Sequence, residues 1–168
     1  MAYGFGSRST VNMAGLHPNL TKVLNRAIQI TTQDFGIAAK AVRTAAEQAA
    51  LYAQGRTKPG NIVTDKDGYK NKSNHQPHGD GFGYAVDCTP FIAGSFDVNN
   101  EAAQYPIAAA MSLAAKEFGV KIVWGGNWYE VLNDTGSTVE DMKAWVARYR
   151  DQHPGPDFID LPHFELRP

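Results

Sequence analysis

Residues 73–90 read Ser-Asn-His-Gln-Pro-His-Gly-Asp-Gly-Phe-Gly-Tyr-Ala-Val-Asp-Cys-Thr-Pro, and no other stretch restricts the fold as much. Two histidines, two aspartates and three glycines crowd a segment without helical periodicity. Only Tyr84-Ala-Val-Asp-Cys88 has the short apolar character of a buried strand. A glycine-rich loop running into a core strand brings backbone close to a bound ion while the strand holds one carboxylate rigid. Far downstream, Asp157-Phe-Ile-Asp-Leu-Pro-His-Phe-Glu-Leu166 places another histidine and further carboxylates in a short apolar run. The expectation is that the two stretches meet around one metal ion.

The rest of the chain supplies a frame for such a meeting. Residues 1–16, rich in Gly, Ser and Asn, predict an irregular lead-in. His17-Pro-Asn then opens a helix whose apolar positions Leu20, Val23, Leu24, Ala27 and Ile28 recur at helical spacing. Residues 35–42 read as a strand that delivers Arg43 at its end. Thr44 with Glu47 forms a capping-box pattern, and the helix it starts, 45–54, stops at Gly55. Residues 56–74 are polar and turn-rich, a long loop of the kind that is usually functional or mobile. A strand at 84–88 follows it.

An alanine-rich helix over 101–118 ends at Gly119, with Pro106 tolerable only in its first turns. Residues 120–124 predict a strand closed by Gly125-Gly-Asn-Trp128. Thr138 opens a last helix with Met142, Trp145, Val146 and Tyr149 on one face. His153-Pro-Gly-Pro156 ends that helix, and residues 158–166 return as a final strand. This pattern predicts an α+β fold: one domain over residues 1–168, with a small, mainly antiparallel sheet covered by helices. No strand–glycine–helix nucleotide motif argues for a doubly wound alternative.

With 168 residues and 43% hydrophobic content, the chain has enough apolar material for a substantial core. The net charge of −1, with basic and acidic residues interspersed, provides no footprint for nucleic acid or an anionic membrane. Cys88 is the single cysteine, which excludes an intrachain disulfide and reads as a small buried hydrophobe. The N-terminus lacks the pattern of a signal peptide, and no apolar run approaches the roughly 20 residues of a membrane span.

A catalytic zinc site takes three ligands from His, Asp, Glu or Cys and leaves a fourth position for water, beside which a carboxylate can accept a proton. His75, His78, Asp80, Asp87, Asp160, His163 and Glu165 are the candidates. None lies in a His-Glu-x-x-His helix, so a zincin is excluded. Spacing alone leaves the choice among them open. His17 and His153, each followed by proline, read as capping or surface groups.

In sequence order, Ser73-x-His75, Gly83-x-Ala-Val-Asp87 and Asp160-x-x-His163-x-Glu165 resemble the zinc peptidases related to the vancomycin-resistance D,D-carboxypeptidases. Within that group the chain is most similar to phage endolysins that cleave the L-alanyl-D-glutamate bond of peptidoglycan. The similarity extends to Val42-Arg-Thr44, Gln48, Leu51-Tyr-Ala-Gln-Gly-Arg56 and Trp124-Gly-Gly-Asn-Trp128, and so covers most of the chain from about residue 36 onward. It implies His75, Asp87 and His163 as zinc ligands and Asp160 as general base. Arg43 is then the support for the scissile carbonyl or a substrate carboxylate, Glu165 a carboxylate that orients a ligand, and Ser73, Gln48 and Trp124 substrate contacts.

The sequence departs from the family's simplest pattern in one place. Eleven residues separate His75 from Asp87, a longer interval than that form has. The additional residues 76–82 introduce His78 and Asp80 as rivals to His75. The resemblance also implies peptidoglycan as the partner and a monomer as the working unit. Synthesis in a host cytoplasm followed by holin-type release to the wall fits the same picture. A D,D-carboxypeptidase or dipeptidase on the same fold, or a non-catalytic zinc-containing wall-binding module, are the alternatives.

Overall fold

Four helices begin and end where local chemistry dictates. The computed structural model describes residues 2–155 and 158–167. After α1 (Ser7–Asn12), helix α2 (Pro18–Ile30) is capped by the His17 ring, which accepts from the Asn19 N–H, and Pro18 occupies its first turn. Its buried face is Leu20, Val23, Leu24, Ala27 and Ile28, as the periodicity predicts. After β1 (Phe35–Gly36), helix α3 (Ala45–Ala53) starts from a complete Thr44–Glu47 capping box. Strands β2 (Ala85–Asp87), β3 (Thr89–Ile92) and β4 (Ser95–Phe96) lead to α4 (Glu101–Phe118), capped by Asn100 and closed by Gly119 in the left-handed region. Pro106 sits six residues into α4, and the helix continues through it. Strands β5 (Ile122–Trp124) and β6 (Asn127–Val131) precede a 3-10 turn (Leu132–Asp134). Helix α5 (Val139–Gln152) follows with a second capping box, Thr138–Asp141, and the chain ends on β7 (His163–Leu166).

All strand pairings are antiparallel, but there are two sheets where one was expected, ordered β1-β3-β4 and β2-β7-β5-β6. Helix α4 packs against α2 on one side and α5 on the other, and one hydrophobic cluster joins these helices to the sheets.

The four-stranded sheet determines what faces the site. Cross-strand partners share a face, and the register pairs Val86 with Phe164 and Trp124 with Phe164. These three side chains are fully buried, which defines the core face. Alternation then puts His163 and Glu165 on the other face, where Asp87 is the direct partner of His163.

Several expectations are corrected. Residues 7–12 form α1 instead of an irregular lead-in: Ser9 Oγ accepts from the Ile37 N–H at 3.0 Å, and the Asn12 amide donates to Ile37 O at 2.8 Å. Only Phe35 and Gly36 of the predicted 35–42 strand pair with a neighbour. The backbone beyond finds partners in α1 and the His75 loop, through Ala41 N to Asn12 O (2.9 Å) and Arg43 N to His75 O (2.8 Å). The C-terminal strand spans only 163–166, because residues 160–163 form a turn closed by His163 N donating to Asp160 O. The predicted strands 84–88 and 120–124 shorten to 85–87 and 122–124. Pro156, part of the expected helix end, and Asp157, the first residue of the downstream carboxylate-bearing run, lie outside the described residues. No helix among the described residues is long and apolar enough to cross a membrane.

Met111 is fully buried at the middle of α4. Met111→Ala should therefore lower the unfolding free energy by about 2–5 kcal/mol in chemical denaturation, whereas Val11→Ala, at a 71% exposed position, should stay within about 0.5 kcal/mol. A Met111→Ala loss no larger than the Val11→Ala one would contradict the placement of the core.

Candidate metal centre and active site

The loop and the returning strand meet as the charge pattern predicts. His75, Asp87 and His163 form a group that can hold a metal ion. Three atoms converge: His75 Nε2 and His163 Nδ1 are 3.3 Å apart, His163 Nδ1 and Asp87 Oδ1 3.3 Å, and His75 Nε2 and Asp87 Oδ1 3.4 Å. The remaining nitrogen of each imidazole is already engaged. His75 Nδ1 lies 2.8 Å from Ala41 O, a pure acceptor, so Nδ1 carries the proton and the Nε2 lone pair faces the group. His163 Nε2 lies 3.0 Å from Glu165 Oε2, so this ring presents Nδ1. The two histidines thus offer opposite nitrogens, each selected by a partner outside the cluster.

The anchors of these partners lie in irregular chain. Ala41 belongs to the 37–44 segment, whose extended path is held by α1. The loop before His75 is held by Gln76, buried, whose side chain donates to Gly68 O (2.8 Å) and accepts from Ser73 N (2.9 Å). The rivals His78 and Asp80 point elsewhere. His78 stacks on Tyr84 with ring centroids 3.9 Å apart, and Asp80 accepts from the Tyr84 hydroxyl at 2.9 Å on an exposed bulge.

Electrostatics couple the group tightly. For Asp87, burial opposes ionisation, but the neighbouring His75 and His163 outweigh it and hold the carboxyl well below its ordinary range. For His163, burial alone lowers the pKa, while hydrogen bonds to Asp87 and Glu165 push it up to about 9. The metal-free His163 is therefore protonated at neutral pH, and an entering cation displaces that proton. Burial also acts on Glu165, where hydrogen bonds from His163 and Asn74 prevail and lower the pKa. Asp160 behaves in the opposite way: burial, then repulsion from Asp87, raises its pKa towards the range where a carboxylate works as a base.

Asp160 is positioned by the hairpin between β5 and β6. Asp160 N donates to Gly125 O, and Gly125 N donates to His163 O, both at 2.9 Å. A Cβ on Gly125 would stand 2.1 Å from Asp160 O, so only glycine permits this approach.

Arg43 Nη2 donates to Asp87 Oδ2 at 2.9 Å, which leaves Oδ1 for the group. Ser73 lines the cleft in front of the cluster, about 830 Å³ in volume, together with Arg43, Asp160 and Glu165. Gln48 and Trp124 do not, and their expected contact with substrate is corrected. Gln48 is fully buried, accepts from Arg43 Nη1 at 3.4 Å and donates to Lys66 O at 3.1 Å, so it ties the arginine to the long loop. Trp124 stacks on Phe164 in the core, and its indole donates to Leu161 O. The aromatic residues lining the cleft are Trp128, Tyr129 and Phe158, none of them among the expected substrate contacts, and Trp128 is the one in ring contact with a member of the metal group. It lies 5.0 Å from the His163 ring, stacks on Phe158 and donates to Phe158 O. The register separates the two tryptophans: Asn127 pairs with Trp124 and is buried like it, so Trp128 faces the other side.

Gly125→Ala should reduce kcat by at least about tenfold while leaving metal content unchanged, because the added methyl displaces Asp160 and not the ligand atoms. Wild-type turnover in that variant would contradict the packing assigned to Gly125.

The chain aligns with a curated L-alanyl-D-glutamate peptidase of Escherichia phage T5 at 31% identity over 143 residues, 85% of this chain and 91% of the relative. Its fold matches the crystal structure of the Serratia marcescens L-Ala D-Glu endopeptidase ChiX with a TM-score of 0.59 at 21% identity, covering 99% of this chain and 91% of the other. The family described as phage L-alanyl-D-glutamate peptidase matches residues 1–166, beyond the region in which the short motifs resemble it. With the loop, the returning strand and the whole intervening frame accounted for, the chain belongs to the phage L-alanyl-D-glutamate peptidase family.

Proposed function

We propose that the protein is a zinc-dependent peptidoglycan endopeptidase that hydrolyses the bond between L-alanine and D-glutamate in the stem peptide. The observation that carries this reading is the donor triangle. A tetrahedral ion with bonds of about 2.0–2.1 Å to nitrogen and oxygen needs donors about 3.3–3.4 Å apart, and the three edges are 3.3, 3.3 and 3.4 Å. Two imidazoles and one carboxylate are a donor set that suits zinc. Zinc bound there polarises a carbonyl and lowers the pKa of water at its open position.

This chain's own residues do the rest. Asp160, with its raised pKa, accepts a proton from the attacking water at its carboxylate and delivers it to the departing amine nitrogen. Arg43 keeps the non-ligating oxygen of Asp87 occupied and lines the cleft, where its guanidinium charge supports negative charge on the scissile carbonyl oxygen. Ser73 and Trp128 border the path of the peptide. The chain works as one catalytic unit on the cell wall.

Asp160→Asn should keep one zinc per chain by elemental analysis and lose about 10²–10⁴-fold in turnover. Mass spectrometry of digested muropeptides should identify new L-alanine C-termini and D-glutamate N-termini with wild type alone. Wild-type activity in Asp160→Asn would remove this residue from the mechanism. Release of D-alanine would point instead to a carboxypeptidase, and zinc binding without cleavage to a wall-binding module.

A further inference from the structure

The cleft is lined by carboxylates and cations together. Asp65, Asp87, Asp160 and Glu165 line it, against Arg43, Lys66 and Lys72. Under the peptidase reading the substrate brings yet another carboxylate: a glutamate on the leaving side keeps one free, whichever of its carboxyl groups continues the chain. In a partly desolvated cleft, like charges are costly unless a cation receives the newcomer.

Two of the three cations are engaged. Arg43 is paired with Asp87 at 2.9 Å and with Gln48. Lys66 lies 3.9 Å from Asp65, its neighbour in sequence, and its carbonyl is held by Gln48. Lys72 has no ion pair or side-chain hydrogen bond among the described residues. The next residue is held in place: Ser73 N donates to the buried Gln76 side chain and Gln76 N donates back to Ser73 O at 2.9 Å. Lys72 also stands at a junction. With Ser73 and Asn74 it lines both the main cleft and an adjoining cavity of about 320 Å³ formed by residues 72–79.

We propose that Lys72 receives the free carboxylate of the residue on the leaving side and so sets the preference for an acidic residue there. The proposal rests on the peptidase reading. Lys72 is exposed, outside the metal group, and its replacement leaves the packing unchanged. The test uses the zinc-loaded protein and two soluble stem-peptide analogues, one with D-glutamate and one with that free carboxylate converted to a carboxamide. A hydrogen-bonded charge in such a setting corresponds to a preference of about tenfold or more.

Wild type should prefer the acid by that factor in kcat/KM. Lys72→Met should lose the preference entirely through slower cleavage of the acid, with the amide cleaved at the wild-type rate, and Lys72→Arg should retain it. An undiminished preference in Lys72→Met, equal losses on both peptides, or no preference in wild type would each overturn the assignment. Cleavage of neither peptide by wild type would overturn the peptidase reading, and this proposal with it.

Discussion

The structure depends on one cross-strand pair. Asp87 and His163 face each other across β2 and β7, and the group closes when the loop brings His75 to within 3.4 Å of the same carboxylate oxygen. A cross-strand pair is a rigid foundation, since register and pleat fix the two side chains before any ion arrives. The third donor comes from a loop, and its ring is fixed by Ala41 O. Bringing two imidazoles and a carboxylate this close is favourable without a cation only if a proton takes its place, and the His163 pKa of about 9 records that. A metal ion held there would take the place of that proton.

Much of the remaining chain reads as support for that geometry. Helix α1 holds the 37–44 segment, which contributes both Ala41 O and Arg43. The Gly125 hairpin holds the backbone N–H of Asp160, and the turn from Asp160 to His163 ties the proposed base to a ligand three residues on. Trp128 covers His163 from the cleft side. These contacts come from separate parts of the chain, yet they converge on the groups that the proposed reaction uses.

What could be read from the sequence follows a physical division. Helices with local signals were legible nearly to the residue: α2 from its periodicity, α3 from its capping box, α4 from its alanine-rich run ending at Gly119, α5 from its Thr138 start and its apolar face. The metal group was legible because resemblance could choose among candidates that spacing left open. Elements defined by distant partners were not. Residues 37–42 have strand-like composition, but their hydrogen bonds go to α1 and the His75 loop. Strands β3 and β4 are short and have no alternation to reveal them. Trp124 and Trp128 are alike in composition, and only the register of β5 against β7 tells which one is buried.

The claim on which the account rests is that the two histidines bind through opposite nitrogens, each chosen by its outer partner. Long-range ¹⁵N–¹H correlation of the zinc-loaded protein tests it directly. His75 should carry its proton on Nδ1 and be coordinated at Nε2, whereas His163 should carry its proton on Nε2 and be coordinated at Nδ1. Two histidines coordinated through the same nitrogen, or a metal-bound His78, would contradict it.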